Sequence, residues 1–362
     1  MRTYSMPAPD TPDVWQRLAR ETAPLIIYGM GNGGDKMVAQ FEKRGLTVAD
    51  FMASDGFVRG QSFHGKTVLS LAQIQEKYPR FVLVVAFASS RPEVTDWLYT
   101  LADTYPLYMP DLPVAGETCF DGDWYRANRS ALCEVAEKLA DEDSRNLLRA
   151  ILTYKLTGDI RILREAHTAP ESEHARLRLT EVKTYVDCGA YNGDTLREVI
   201  GAGAPLTNAV CVEPDPATYR RLVKYTDTLT HPTVQTVCAA VWDTPSVGVF
   251  HGSGNRNSSL VGASYEHKSN PVSLVTVDAL SEALTPDYIK YDVEGAEREA
   301  LLGTAKTLLR ARPRLLVSLY HRTEDLIDLP RLVLSLYPSV DLYLYRRPCL
   351  PAWEIGLVVI PR

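Results

Sequence analysis

Six cysteines in 362 residues, none of them in a C-x-x-C pair, leave no disulfide framework and no cysteine-built zinc site to organise this chain. Cys119, Cys133, Cys188, Cys211, Cys238 and Cys349 are scattered and read as free thiols of a reducing compartment. Long basic runs are also missing. With 39 Lys and Arg against 45 Asp and Glu, affinity won by neutralising phosphates is not expected, so nucleic acid is not among the expected partners. The opening residues, Met1 to Asp10, hold no apolar segment of the secretory kind. No apolar run approaches the roughly 20 residues that a membrane-spanning helix needs. A cytoplasmic protein with no integral membrane segment is the expectation.

What is present is an α/β pattern that occurs twice. The length favours two domains, each able to bury its own core. Leu25-Ile-Ile-Tyr28, Thr47 to Met52 and Phe81 to Phe87 read as strands, with a helix over Lys36 to Arg44, an alternation that implies a parallel sheet. Residues 1–115 are therefore expected to form a smaller Rossmann-like α/β domain. Residues 116–180 change to helical periodicity, with Asp141 to Ser144 as a break and N-cap between two helices, and are expected to be a helical connector. The apolar faces of these helices suit either core or a homodimer surface. From 181 to 362 the strand–helix alternation returns, and Asp341 to Tyr345 with Glu354 to Ile360 read as a closing antiparallel hairpin.

The most informative segment is Thr184-Tyr-Val-Asp-Cys-Gly-Ala-Tyr-Asn-Gly-Asp-Thr195. A short β-branched run ends at Asp187, Gly189 and Gly193 stand four apart, and a helix opens at Asp194 and Thr195. Such a turn brings main-chain N–H groups close to a ligand. Its D-x-G-x-x-x-G spacing differs from the G-x-G-x-x-G turn that holds a pyrophosphate and suits a ligand with a zwitterionic amino-acid tail, which points to S-adenosylmethionine (SAM). Asp187, Gly189, Ala190, Tyr191, Gly193, Asp194 and Thr195 are the expected cofactor residues of this turn. Glu213 ends the next strand, where a carboxylate can accept from both ribose hydroxyls. Pro214 and Asp215 follow it in position to flank an adenine, and Ala239, Ala240 and Val241 offer a flat, small-residue wall. Asp292 ends a fourth strand at the same sheet edge.

Val186 to Thr195, Val212-Glu-Pro-Asp215, Asn255 to Leu260, Ile289-Lys-Tyr-Asp-Val-Glu-Gly-Ala-Glu297 and Arg312 to His321 together resemble the FkbM family of SAM-dependent O-methyltransferases. The likeness covers about residues 180 to 362. It implies a Rossmann-like class I methyltransferase domain, a mostly parallel seven-stranded sheet with a C-terminal antiparallel hairpin, behind the smaller domain. It further implies transfer of a methyl group from SAM to a hydroxyl of a sugar, glycolipid or related polyhydroxylated molecule, with S-adenosylhomocysteine (SAH) as product.

Methyl transfer from a sulfonium is mainly a matter of position, but the hydroxyl proton must leave. Asp292 is the first candidate base and His321, at the end of the fifth strand, the second. Glu294 caps its helix or meets the acceptor. Asn255, Asn257, Ser258 and Ser259, in a polar loop from His251 to Leu260, and Tyr320 are expected on the acceptor side. A divalent metal bridging carboxylates and vicinal hydroxyls is chemically reasonable, yet no spacing demands one, and no metal ligand is assigned.

Gly29-Met-Gly-Asn-Gly-Gly34 also matches a dinucleotide turn, with Asp50 about 20 residues on. Gly29, Gly31, Gly34 and Asp50 are thus the candidate residues of a second nucleotide site. Two alternatives stay open on that ground: a nucleotide- or sugar-nucleotide-binding oxidoreductase or epimerase, and a non-catalytic scaffold.

Overall fold

The computed structural model describes residues 3–251 and 269–362. The first sheet holds six strands, β1 (Leu25–Tyr28), β2 (Val48–Met52), β3 (Ser62–Phe63), β4 (Lys66–Leu69), β5 (Val82–Val85) and β6 (Leu107–Tyr108), in the order β3-β4-β2-β1-β5-β6. All its pairs are parallel except the β3–β4 hairpin. β1 and β5 are buried at every residue, as expected of strands covered on both faces.

The large second sheet is built from β7 (Thr184–Cys188), β8 (Asn208–Val212) and β9 (Thr233–Val237). A small three-stranded sheet of β10 (Ala240–Val241), β11 (Ser246–His251) and β12 (Ser269–Val275) comes next in the chain. The large sheet is then completed by β13 (Tyr288–Tyr291), β14 (Arg314–Ser318), β15 (Val340–Arg346) and β16 (Ile355–Pro361). Its order is β15-β16-β14-β13-β7-β8-β9. The last strand inserts antiparallel between β14 and β15, while β9, β8, β7, β13 and β14 run parallel. This is the Rossmann-like methyltransferase sheet that the alternation and the closing hairpin led one to expect. The chain reverses direction across the sheet between β7 and β13, and in such sheets ligands bind at that switch, beyond the carboxyl ends of the strands.

Helices Gly122–Lys138 and Glu142–Thr157 join the two sheets. Asp141 caps the second of them, its carboxylate accepting from Ser144 N at 2.9 Å, as the D-E-D-S segment suggested. Leu147, Leu148, Ile151 and Leu152 share one hydrophobic core with Ile26 and Leu83 of the first sheet and with Leu342 and Leu357 of the second. That helix is therefore packed core on most of its circumference. Ala140 N donates to Leu342 O at 2.8 Å, and Leu344 N donates to Ser144 Oγ at 2.9 Å, so the helix pair is stitched to the edge strand of the large sheet. Among the described residues no helix is long and apolar enough to cross a membrane.

Candidate active site

A cleft of about 250 Å³ opens at the carboxyl ends of β7, β8, β13 and β14. It gathers most of the residues singled out from the sequence. Gly189, Tyr191, Asp194, Thr195, Glu213, Pro214, Asp215, Ala239, Ala240, Val241, Asp292, Glu294 and Tyr320 all line it. Asp187, Ala190, Gly193 and His321 do not, and the reasons differ.

The glycine turn is fitted first to the protein itself. A Cβ on Gly189, whose φ is +85°, would stand 1.9 Å from the carbonyl oxygen of Asp292, so the turn after β7 touches the end of β13 at main-chain distance. Gly189 N and Ala190 N both donate to Val212 O, at 3.0 and 2.9 Å, which draws Ala190 inward and buries it completely. Gly193 starts the helix Asp194–Gly201 in a left-handed conformation and abuts the Tyr225 ring. Asp187 lies wholly beneath the turn.

Glu213 clamps the same turn from the neighbouring strand. Its carboxylate accepts from Tyr191 N at 3.0 Å and from Asp215 N at 2.9 Å. Burial pushes its carboxyl up to about 7, against the pull of those two N–H donors. Each oxygen keeps a lone pair for a further donor on the cleft side. Asp215 is spoken for: it accepts from Ala217 N and Thr218 N, at 3.0 and 2.7 Å, and so caps the helix Pro216–Thr226. Pro214 and the buried Ala239, Ala240 and Val241 complete that wall.

The opposite wall is ionic. Lys290 projects from the middle of β13, 3.7 Å from Asp187 Oδ1 and 3.4 Å from Asp292 Oδ2. Ser318 Oγ and Tyr320 OH donate to Asp292 Oδ1 at 3.0 and 3.1 Å. Burial would raise the Asp292 carboxyl, but Lys290, His321 and these hydroxyls outweigh it and hold it at about 2. Burial raises Asp187 to about 7, with Lys290 opposing. His321 sits behind this wall, fully buried, with Nε2 3.5 Å from Asp292 Oδ1 and 3.4 Å from Glu294 Oε2, and Nδ1 2.9 Å from Glu297 Oε1. Burial would lower its pKa. Glu297, Glu294 and Asp292 reverse that and lift it to about 10. His321, the second candidate base, is thus fully buried and stands outside the residues that line the cleft.

Glu294 also departs from expectation. It does not open a helix, because Glu294 and Gly295 take positive φ values, +55° and +96°, and the helix begins only at Glu297. The Glu297 carboxylate satisfies that turn, accepting from Val293 N at 2.9 Å and Gly295 N at 3.1 Å. Glu294 is left to face His321 and the cleft.

Sequence reading missed the residues that tune and rim the cleft. Lys290 is the chief one, and its signal was a lone lysine inside the apolar Tyr288–Tyr291 strand. Arg347 spans Glu173 and Glu198, at 2.5 and 2.7 Å, while Ser318, Thr218 and Glu354 also line the space. These come together only through the insertion of β16 and through the helix Pro170–Arg176, which no local pattern announces. Asn255, Asn257, Ser258 and Ser259 lie outside the described residues.

The first glycine turn is packed closely against its own sheet. Gly29, Gly31 and Gly34 do lead into a helix, Asn32–Lys43. A Cβ on Gly33 would fall 2.0 Å from Ala86 O, and one on Gly34 2.9 Å from the Phe63 ring, so the turn packs tightly on its own sheet. Asp50 is buried and accepts from Lys77 Nζ at 2.7 Å and Tyr78 OH at 2.5 Å. Its carboxylate therefore closes an internal network with Lys77 and Tyr78.

Comparison with known proteins matches this geometry. The Methyltransferase FkbM domain family matches residues 187–346. Among solved structures, the chain resembles a methyltransferase FkbM from Methylobacillus flagellatus KT at 22% identity and a TM-score of 0.71, over 98% of this chain and 94% of that one. It also aligns with a precorrin-6y C5,15-methyltransferase from Geobacter metallireducens GS-15, at 10% identity and TM-score 0.33 over 52% and 84% of the two chains. An rRNA methylase from Streptococcus thermophilus aligns at 13% identity and TM-score 0.35, over 54% and 97%. No curated protein matches by sequence. The first likeness shows the fold of nearly the whole chain, and the family match covers the cleft and its walls. Residues 187–346 therefore match the Methyltransferase FkbM domain family, and a Rossmann-like α/β unit precedes them.

Proposed function

We propose that this protein is a SAM-dependent O-methyltransferase acting on a hydroxyl of a sugar, glycolipid or related polyhydroxylated small molecule. The observation that carries the reading is one cleft in which Glu213, the Gly189–Thr195 turn and Asp292 converge from three adjacent strand ends. The ribose of SAM hydrogen-bonds Glu213, the adenine lies against Ala239, Ala240 and Val241, and the methionine tail meets the turn from Tyr191 to Thr195. The acceptor enters beside Asp292, Glu294 and Tyr320, a wall of carboxylates and hydroxyls suited to a ligand with several OH groups. In the reaction the acceptor oxygen forms a bond to the methyl carbon while the carbon–sulfur bond breaks, so the sulfonium leaves as neutral SAH. The attacked oxygen becomes a protonated ether, a far stronger acid than the alcohol. Even a carboxylate as weakly basic as Asp292 can then accept its proton.

Calorimetric titration of the full-length protein with SAM and SAH, with NADH and a UDP-sugar as controls, tests the reading. Saturable binding of both sulfur nucleosides at about one site per chain is expected, followed by methyl transfer to a polyol or glycan in an acceptor screen with labelled SAM. Binding of NADH or the UDP-sugar without SAM or SAH would reject it.

A further inference from the structure

We propose that the first α/β unit is the frame that holds the acceptor side of the cleft in place, with Lys36 as positioning residue for the Val293–Glu297 turn and Ser89 for the Arg347–Glu354 loop. Its effect on methyl transfer rests on the methyltransferase reading above. The contacts themselves do not.

The two halves of the cleft are held in different ways. On the cofactor side, Gly189 N and Ala190 N donate to Val212 O, and Tyr191 N donates to the Glu213 carboxylate. These partners all belong to the large sheet and its own turns. The acceptor side leans on chain from outside that sheet. Residues 113–118, which follow β6, run behind the turn that carries Glu294. Ala115 N donates to His321 O at 2.8 Å, and Thr323 Oγ1 donates to Thr118 O at 2.6 Å. A Cβ on Gly295 would stand 2.7 Å from Ala115 Cβ, and Arg322 Nε donates to Gly295 O at 2.9 Å. The segment therefore buttresses Glu294 through Gly295, and Tyr320 through His321.

Lys36 fixes that segment from the first unit. Its Nζ, on the helix Asn32–Lys43, donates to Pro113 O at 3.1 Å and to Val114 O at 3.2 Å, just ahead of Ala115. Hydrogen bonds from an ionised donor are roughly twice as strong as neutral ones, so an ammonium on two consecutive carbonyls sets a backbone path firmly. A second tie is made by main chain. Ser89 N donates to Leu350 O at 2.7 Å and Leu350 N to Ser89 O at 2.9 Å, an antiparallel bridge between the loop after β5 and the loop that brings Arg347 and Glu354 to the cleft. Both ties leave from the first glycine turn. Lys36 lies on the helix that opens there, and Gly33 packs so closely that its Cβ would fall 2.0 Å from Ala86 O, at the root of the Ser89 loop. The close packing of that turn thus gives both ties a rigid base.

Hydrogen exchange of the full-length protein, read by mass spectrometry, tests this. Lys36→Met should speed exchange of residues 293–297, and Ser89→Pro that of residues 347–356, each by at least about tenfold, while residues 189–195 keep their protection in both variants. Lys36→Arg keeps a cationic donor and should restore most of the protection. Lys77→Met, which removes the ion pair with Asp50 from the same unit, should leave both segments as in the parent protein. With an acceptor in hand, its KM should rise at least about tenfold in Lys36→Met and Ser89→Pro, with SAM KM and SAH affinity unchanged. Unaltered exchange of 293–297 in Lys36→Met and of 347–356 in Ser89→Pro overturns the proposal, as does a uniform rise that includes 189–195. If Ser89→Pro does not fold, Lys36→Met and its arginine rescue decide the matter. SAH binding is measured separately: SAH bound by a protein whose two segments do not respond removes only this inference, and responding segments without SAH binding remove only the methyltransferase reading.

Discussion

Gly189 and Asp292 meet so closely that a Cβ on the glycine would stand 1.9 Å from the aspartate's carbonyl oxygen. The cofactor turn and the acceptor wall are thus fitted to each other through main chain, and one residue sets the width of the cleft between them. Gly189→Ala should force the strand ends apart and strain a φ of +85°. Overpacking and a disfavoured backbone together cost on the order of 3 kcal/mol. Urea denaturation should show that loss, and SAH binding should vanish with it. An unchanged midpoint would mean that the contact is not as tight as drawn.

Glu213 makes ligand binding depend on pH. Its carboxyl, with an ordinary value of 4.5, is pushed up to about 7 by burial, with Asp215 and Asp187 adding repulsion against the two N–H donors. A carboxyl raised on folding contributes stability that is fully present below about pH 4.5 and lost as the pH rises through about 7. Ribose hydroxyls, by contrast, donate best to the ionised form. SAH affinity should therefore climb between about pH 6 and 8 and then level off, with a proton released on binding. Glu213→Gln should flatten the climb and weaken binding by about 1.5–3 kcal/mol, the worth of hydrogen bonds to a charged group. Calorimetry across that range in buffers of different ionisation enthalpy measures both. A climb that persists in Glu213→Gln would pass to Asp187, which burial also lifts to about 7.

Lys290 is the cation on which two carboxylates depend. It is 9% exposed and lies between the fully buried Asp187 and the partly exposed Asp292. Lys290→Met should cost about 3 kcal/mol, because removing one partner strands a buried charge. Adding Asp187→Asn should restore part of the loss. A double-mutant cycle by chemical denaturation reads the coupling directly, and purely additive effects would show that Lys290 and Asp187 do not interact.

Much of this site was legible because parallel sheets place function at strand ends, where turn chemistry is written locally. Gly189, Glu213 and Asp292 each follow a short buried run and announce themselves by type. What could not be read were the partners that arrive from elsewhere in the chain. Arg347 reaches the rim only because β16 inserts between β14 and β15, and His321 is driven inward by Glu297, whose carboxylate folds back onto the Val293–Gly295 turn. Periodicity says nothing of either. The strands of the small sheet escaped for a related reason: β10 has two residues and β11 pairs with β12 across 17 intervening residues, 252–268, so neither carries a hairpin signal.

Asp50 separates a motif from its usual meaning. In a dinucleotide-binding unit this acidic position faces a ribose, and its removal would lower nucleotide affinity. Here its carboxylate is 5% exposed and holds Lys77 Nζ and Tyr78 OH, tying the helix Leu71–Lys77 to β2. Asp50→Ala leaves the Tyr78 hydroxyl and an ammonium without their acceptor, which should cost about 1–2 kcal/mol of stability, while SAH binding stays as in the parent protein. Denaturant unfolding paired with calorimetry distinguishes the two roles: an Asp50→Ala protein of undiminished stability that has lost affinity for NADH or a UDP-sugar would return the first glycine turn to nucleotide binding.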